Sequence, residues 1–378
     1  MAFSLSEVNV KTIRGALIIF WLVFSSFICL PVFIFPTYVL RFFSRRAHRA
    51  YLRFMFGSFW SVVVVWFEKI NGIKVKLTGE RGSGKDKSVV YVSNHLTEMD
   101  MPFMWLMPYR AGAIGGVKFV TKASVRKVPI LGWGINACEY LFLRRNWETD
   151  KLKINKHIAS FGKGELAWWV IYPEGTDMEP HKVPLSQEFQ RSRGLPILSK
   201  VLQPKVKGLH GILEALWVPS ADTVVYDCTM QYTPPLTSMA KLLAGELPRE
   251  CHIHLKRFTK PMIGSSEEEV KTWLQKSFEE KDRQLTHLEK NGCFEGPKIE
   301  AELGTPDILW AASLVVMFSA LDLFLLGVWK RNPLYMTIYY VLAVVAQQIW
   351  VTHYGDAYMW SLSSRFVRRR CPRNKLYQ

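Results

Sequence analysis

The stretch Asn94-His95-Leu96-Thr97-Glu98-Met99-Asp100 holds the residue types that point most directly to chemistry. An imidazole can take a proton at one ring nitrogen while a carboxylate holds the other, and such a pair turns a hydroxyl into a nucleophile. Residues five apart on a continuous helix point about 140° away from each other, so His95 and Asp100 can meet only across a turn. The apolar run at 88–92 just before them reads as a strand. That places the motif at a strand's carboxyl end, the usual ligand position in open α/β sheets. No serine nucleophile is needed if the acceptor hydroxyl itself attacks an acyl group that is already activated. Alone, H-x4-D fits an ordinary surface histidine as well.

Two further stretches deliver polar groups to strand ends. Tyr172-Pro173-Glu174-Gly175-Thr176-Asp177 follows the apolar run 168–171, with a carboxylate and a flexible glycine where the strand stops. Tyr140-Leu141-Phe142-Leu143-Arg144-Arg145 ends in two guanidinium groups that can bind phosphate oxygens in a fork. Lys200, Lys205 and Lys207, set among Pro204 and Gly208, add positive charge further on. Each is an ordinary turn or surface run when taken singly; their common position at strand ends is what sets them apart.

The elements that must position these groups follow from patterning. Between about residues 72 and 258, short β-rich runs at 75–77, 89–92, 141–143, 168–172, 224–232 and 252–258 alternate with stretches of helical spacing, the pattern of an α/β domain around a sheet. Val270, Trp273, Leu274, Ser277 and Phe278, spaced among many Glu and Lys, predict an amphipathic helix over 266–290 that closes the domain.

Apolar segments flank this domain. Residues 15–40 carry no charged side chain over about 26 positions, enough to cross a ~30 Å hydrocarbon core. The run exceeds a typical signal-peptide core and lacks a clear cleavage site, so a retained anchor is expected. Arg41, Arg45, Arg46, Arg49 and Arg53, mixed with aromatic residues, suit an anionic lipid surface at the membrane exit. The apolar run 54–67 is short for a span and predicts an interfacial or re-entrant helix. Residues 308–329, interrupted only by Asp322, and 333–354 predict a spanning hairpin. The tail, with Arg365, Arg368, Arg369, Arg370, Arg373 and Lys375, favours the cytosolic side. The expected organisation is an N-terminal membrane module over 1–70, a domain over 71–300, a transmembrane hairpin over 301–355 and a basic tail over 356–378.

Composition narrows the classes. Of 378 residues, 49% are hydrophobic, which excludes a disordered tail. The net charge of +17 calls for a partner rich in negative charge. Nucleic acid is not expected, because no helix-turn-helix, zinc or aromatic RNA-binding signature accompanies the charge. The six cysteines form no C-x-x-C pair and no dense framework, so neither a zinc cluster nor a secreted disulfide scaffold is supported, and a reducing compartment is expected.

The ordered blocks N-H-x4-D, an apolar strand ending in F-x-x-R, and P-E-G-T resemble the lysophospholipid acyltransferases, a superfamily that includes the 1-acylglycerol-3-phosphate acyltransferases. Lys118, Lys122, Pro129, Gly132 and Trp133 extend the agreement, as do Leu195-Pro196, Tyr226-Asp227-Cys228-Thr229 and His252-Ile253-His254. The sequence looks like the eukaryotic branch that also holds lysocardiolipin and lysophosphatidylinositol acyltransferases, and the resemblance covers roughly residues 10–295. It implies an α/β acyltransferase domain with a central mixed sheet, anchored in the endoplasmic reticulum membrane by helices on both sides. It also implies transfer of an acyl group from acyl-CoA to the sn-2 hydroxyl of a lysophospholipid, with 1-acylglycerol-3-phosphate the expected acceptor. By this resemblance His95 is the general base and Asp100 orients it. Asn94, Glu174, Gly175, Thr176 and Asp177 are expected to bind the acceptor, and Arg145 and Lys207 its phosphate. Neither metal nor bound cofactor is expected, since CoA enters as a substrate.

One departure bears on the acceptor. The family's commoner P-E-G-T-R is here P-E-G-T-D, so Asp177 stands where an arginine often meets phosphate. Lysophosphatidylinositol or lysocardiolipin is the alternative acceptor on that ground. A non-catalytic protein that binds anionic lipid is a third reading, one that leaves His95, Asp100 and Glu174 without purpose.

Overall fold

The computed structural model describes residues 44–128, 131–161, 164–217, 222–236, 247–300 and 302–349, with positions 17, 20, 21, 23–26, 28, 40, 41 and 43. Most of the expected anchor at 15–40, Pro129, the end of the second apolar run and the basic tail lie outside the described residues.

An eight-stranded mixed sheet organises the domain: β1 (Lys74–Gly79), β2 (Ser88–Ser93), β3 (Val117–Lys122), β4 (Leu141–Leu143), β5 (Ala167–Ile171), β6 (Val224–Thr233), β7 (Glu250–Phe258) and β8 (Lys298–Ile299). Their spatial order is β4-β3-β5-β2-β6-β7-β1-β8. Strands β4, β3, β5, β2 and β6 run parallel, β7 is antiparallel to β6 and parallel to β1, and β8 is antiparallel to β1. β2 therefore lies inside the parallel part, flanked by β5 and β6. Of these strands, β3 and β8 were not expected from the sequence.

Both faces of β2 and β5 are covered, which explains their continuous Val, Trp and Tyr runs. Val89, Tyr91, Trp168 and Val170 meet one layer: helix α1 (Arg45–Val65), short α2 (Asp100–Phe103) and α3 (Leu106–Arg110). Val90, Val92, Trp169 and Ile171 meet the other: α5 (Trp147–Ala159), which follows the short α4 (Leu131–Ala137), then α7 (Val206–Trp217) and α9 (Glu267–Asn291). Between them in the chain come α6 (Lys182–Ser192) and α8 (Lys260–Ile263). α9 matches the amphipathic helix expected over 266–290, and Ser266 caps it reciprocally with Glu269.

The short helix expected over 54–67 is the second half of a longer one. α1 starts at Arg45 and continues through a π-helical turn, Trp66–Ile70. Nor do all of its arginines face lipid or water. Arg49 is buried, with Nε 2.6 Å from Glu139 Oε2 and Nη1 2.6 Å from Glu165 Oε2, and Arg41 lies 3.7 Å from Glu139. The carboxylates that make this burial tolerable are remote in sequence, which is why the segment read as a lipid-facing surface. α1 also approaches the turn at 114–116 closely: a Cβ on Gly115 would fall 2.2 Å from the carbonyl oxygen of Arg53.

After β8, α10 (Thr305–Arg331) and α11 (Pro333–Ile349) form the expected pair of apolar helices. α10 packs Leu314 and Phe318 against Val62 of α1, yet leaves Leu309, Val316, Leu323 and Phe324 about two-thirds exposed. By length and composition α10 and the α1 helix through Ile70 are long enough to cross a membrane, and α1 is mostly buried within the protein. Asp322 on α10 is buried and accepts a hydrogen bond from Ser25 Oγ at 2.5 Å.

Candidate active site

The register of β2 and β5 brings the two main motifs together. Val92 pairs with Ile171, so His95 and Glu174 each lie three residues beyond the same rung. Glu174 Oε1 accepts the backbone N–H of His95 at 2.8 Å, and Oε2 accepts that of Leu202 at 3.1 Å. One buried carboxylate thus pins the His95 turn to the loop 195–205. Burial pushes this carboxyl up to about 8. Loop 195–205 is tied in turn to α9, where Asp282 Oδ1 accepts the N–H groups of Ser199 and Lys200 at 2.7 and 2.5 Å.

His95 and Asp100 do meet across the turn. His95 Nδ1 is 2.9 Å from Asp100 Oδ2, and Asp100 stands at the first residue of α2. That carboxylate has no solvent exposure, and donors surround it. Oδ2 also accepts from Leu96 N at 2.7 Å and Thr97 N at 3.2 Å, while Oδ1 accepts from Thr97 N at 3.3 Å and Tyr232 Oη at 2.8 Å. With Asp100 ionised, Nδ1 carries the hydrogen, which leaves the Nε2 lone pair to accept a proton. The ring stacks on Tyr172 with centroids 4.1 Å apart and 15° between planes. Its side chain keeps 21% of its surface open, and Nε2 takes no hydrogen-bond partner among the described residues.

Several expected acceptor-binding residues have structural partners instead. Asn94 is buried and pairs with Met230 of β6, its Nδ2 donating to the carbonyl at 3.0 Å and its Oδ1 accepting from the N–H at 2.8 Å. With its amide spent on that strand, Asn94 positions the turn. Glu174 is likewise taken up by backbone, so it holds the loops together.

Arg145 is brought to the site. It adopts φ +64°, unusual for a side-chain-bearing residue, and its Nη2 donates to the carbonyl of Gly175 at 2.5 Å. Gly175 turns with φ +75°, a conformation that glycine adopts without steric penalty, and a Cβ there would come within 3.5 Å of Lys205 Nζ. Lys205 is therefore a second cation beside Gly175, with Arg145. Lys207, chosen from the sequence, is exposed in the first turn of α7, two residues further on.

Asp177 is not a free negative charge. Lys182 Nζ sits 2.9 Å from Asp177 Oδ1, 2.7 Å from Thr176 Oγ1 and 2.5 Å from Glu179 Oε1. Partial burial pushes the Asp177 carboxyl up, but the hydrogen bonds from Lys182 and Thr176 outweigh it and hold the group below its ordinary value. Lys182 was not singled out from the sequence; a lysine five residues beyond Asp177 was the signal available.

The constellation can deprotonate a hydroxyl at His95 Nε2, beside the Gly175 turn, which Arg145 and Lys205 approach from two other loops. Among the described residues no three His, Cys, Asp or Glu side chains converge as a metal-binding set.

The acyltransferase family model matches residues 74–212, and a model for the acyltransferase C-terminus matches residues 241–318. The chain is 34% identical to a probable 1-acyl-sn-glycerol-3-phosphate acyltransferase 5 from Arabidopsis thaliana, over 82% of this chain and 83% of that one. It is 31% identical to lysocardiolipin acyltransferase 1 from Gallus gallus, over 61% and 62% of the two chains. The crystal structure of the 1-acyl-sn-glycerophosphate (LPA) acyltransferase PlsC from Thermotoga maritima aligns with a TM-score of 0.45 and 18% identity, over 73% of this chain and 95% of that one.

Proposed function

The chain belongs to the acyltransferase family that includes 1-acyl-sn-glycerol-3-phosphate acyltransferases, and from that premise we propose that it transfers a fatty acyl group from acyl-CoA to the sn-2 hydroxyl of 1-acyl-sn-glycerol-3-phosphate, giving phosphatidic acid. The observation that carries the mechanism is the 2.9 Å contact of His95 Nδ1 with the enclosed Asp100, which leaves Nε2 as the open base. Nε2 takes the proton of the sn-2 hydroxyl while that oxygen attacks the thioester carbonyl. When the tetrahedral adduct collapses, the C–S bond breaks and the CoA sulfur leaves, receiving the proton from the imidazolium. Asp100 steadies the imidazolium in between. The thioester is already activated, so the step needs neither metal nor a bound cofactor. A positioned base contributes ~10²–10⁴ in rate; alignment of the two lipids supplies much of the rest.

Arg145 and Lys205, on either side of Gly175, suit the acceptor's phosphate. We place the protein in a membrane, with α10 and α11 as spanning helices and the endoplasmic reticulum as its compartment; the apolar surface left open along α10 supports insertion. A second acceptor class, lysophosphatidylinositol or lysocardiolipin, is favoured by Asp177, which offers a carboxylate where phosphate would want a cation. Purified protein supplied with one acyl-CoA and, separately, lysophosphatidate, lysophosphatidylinositol and monolysocardiolipin decides between them. The proposal expects the highest kcat/KM for lysophosphatidate, and a higher value for either of the others overturns that acceptor.

A further inference from the structure

Among the described residues, Asp100 is held by one side chain besides His95. Tyr232, near the end of β6, is 132 residues away in sequence and buried, its ring centroid 4.5 Å from that of Phe103 on α2. Its hydroxyl donates to Asp100 Oδ1 at 2.8 Å, the oxygen that His95 does not use. Apart from Tyr232, Oδ1 has among the described residues only the long 3.3 Å contact from Thr97 N.

We propose that Tyr232 is a positioning residue for acyl transfer: by bonding Asp100 Oδ1 it fixes the carboxylate's rotation and draws off part of its charge, and so sets how tightly His95 holds its proton. A carboxylate that shares its charge with more donors attracts the neighbouring imidazolium less. Proton release from His95 to the departing sulfur is eased by that bond. Burial, with Asp100 adding to it, pushes the phenol well above its ordinary value, so the hydroxyl remains a donor at every working pH.

The inference rests on His95 as the general base. Its test is the pH profile of kcat/KM for the full-length protein in vesicles, with acyl-CoA and lysophosphatidate, for wild type and Tyr232→Phe. The phenylalanine keeps the ring among its neighbours and deletes only the donor. The expected result is about a tenfold loss in kcat, the size of one hydrogen bond to a charged group, with KM little changed and the acidic limb moved to higher pH. In an Asp100→Asn background, Tyr232→Phe should produce no further movement of the limb. An unmoved limb in Tyr232→Phe, with activity falling only as the folded fraction falls, would show Tyr232 to be structural and overturn the inference. If instead His95→Ala keeps near-normal turnover, the general-base reading has failed, and the two failures are thereby told apart.

Discussion

Glu174 and His95 are joined by a hydrogen bond from the His95 backbone N–H to Glu174 Oε1 at 2.8 Å, while the other carboxylate oxygen holds Leu202. The position of the imidazole therefore depends on a carboxylate that never needs to touch substrate. Glu174→Ala removes both acceptors, so the His95 and Leu202 N–H groups lose their partner and the two loops are released. We expect kcat/KM to fall at least ~10-fold, with a smaller effect on binding of either substrate, because misplacement of the base acts on the chemical step. Steady-state kinetics with both substrates varied checks this.

The same residue gives a pH dependence of stability. Burial raises the Glu174 carboxyl to about 8 from an ordinary 4.5. Between those values the folded protein holds a proton that the unfolded chain releases, so stability falls as pH rises through that window. Thermal unfolding in detergent at pH 5 and at pH 8 should show a steeper loss for wild type than for Glu174→Gln. Equal slopes would mean that the carboxyl titrates normally.

Arg49 binds Glu139 and Glu165 in a buried cluster that fastens α1 to the rest of the domain. Although burial pushes the Glu139 carboxyl up, Arg49 and Arg41 pull it well below the usual carboxylate range, so it stays charged. Arg49→Ala leaves the buried Glu139 and the half-buried Glu165 short of their partner, a change of about 3–5 kcal/mol. Denaturant unfolding would detect it, and a change of under about 1 kcal/mol would show that water reaches the cluster.

Much of the site was legible in the sequence, and what was missed has a common cause. The turn at His95, its carboxylate Asp100, the strands at 88–92 and 168–171 and the guanidinium of Arg145 are local signals, and each falls where the pattern put it. Asn94 and Glu174 were found as residues but given acceptor contacts, because their backbone partners Met230, His95 and Leu202 depend on strand order. Tyr232 was invisible for the same reason. α1 was cut short because Arg45 to Arg53 reads as a basic lipid-facing stretch when Glu139 and Glu165 are out of view. β3 was missed because it carries lysines at both ends; Lys118 is buried and donates to the carbonyl of Cys138 at 2.7 Å.

Asp177 tests the acceptor. Its pairing with Lys182 means that Asp177→Arg removes a carboxylate from the loop, adds a guanidinium and leaves Lys182 with Glu179 and Thr176 alone. The preference for lysophosphatidate over lysophosphatidylinositol should rise, because a phosphomonoester gains more than a phosphodiester from added positive charge. The ratio of kcat/KM for the two acceptors, in wild type and variant, measures the effect. An unchanged ratio would place Asp177 away from the head group.

Membrane attachment is tested by alkaline carbonate. α10 and α11 should resist extraction, since spanning helices bury far more hydrocarbon than an interfacial helix. Recovery of full-length protein in the soluble fraction would contradict the spans. A variant ending at Gly304 asks whether residues 15–67 alone keep the domain on the membrane, and we expect that they do.

The most direct measurement is acyl transfer by His95→Ala, made on protein shown to be folded and inserted as wild type is. The open Nε2 beside the enclosed Asp100 predicts a loss of at least ~10²-fold in kcat, as expected when a positioned base is removed. Turnover near the wild-type rate in that variant would contradict general-base catalysis by His95.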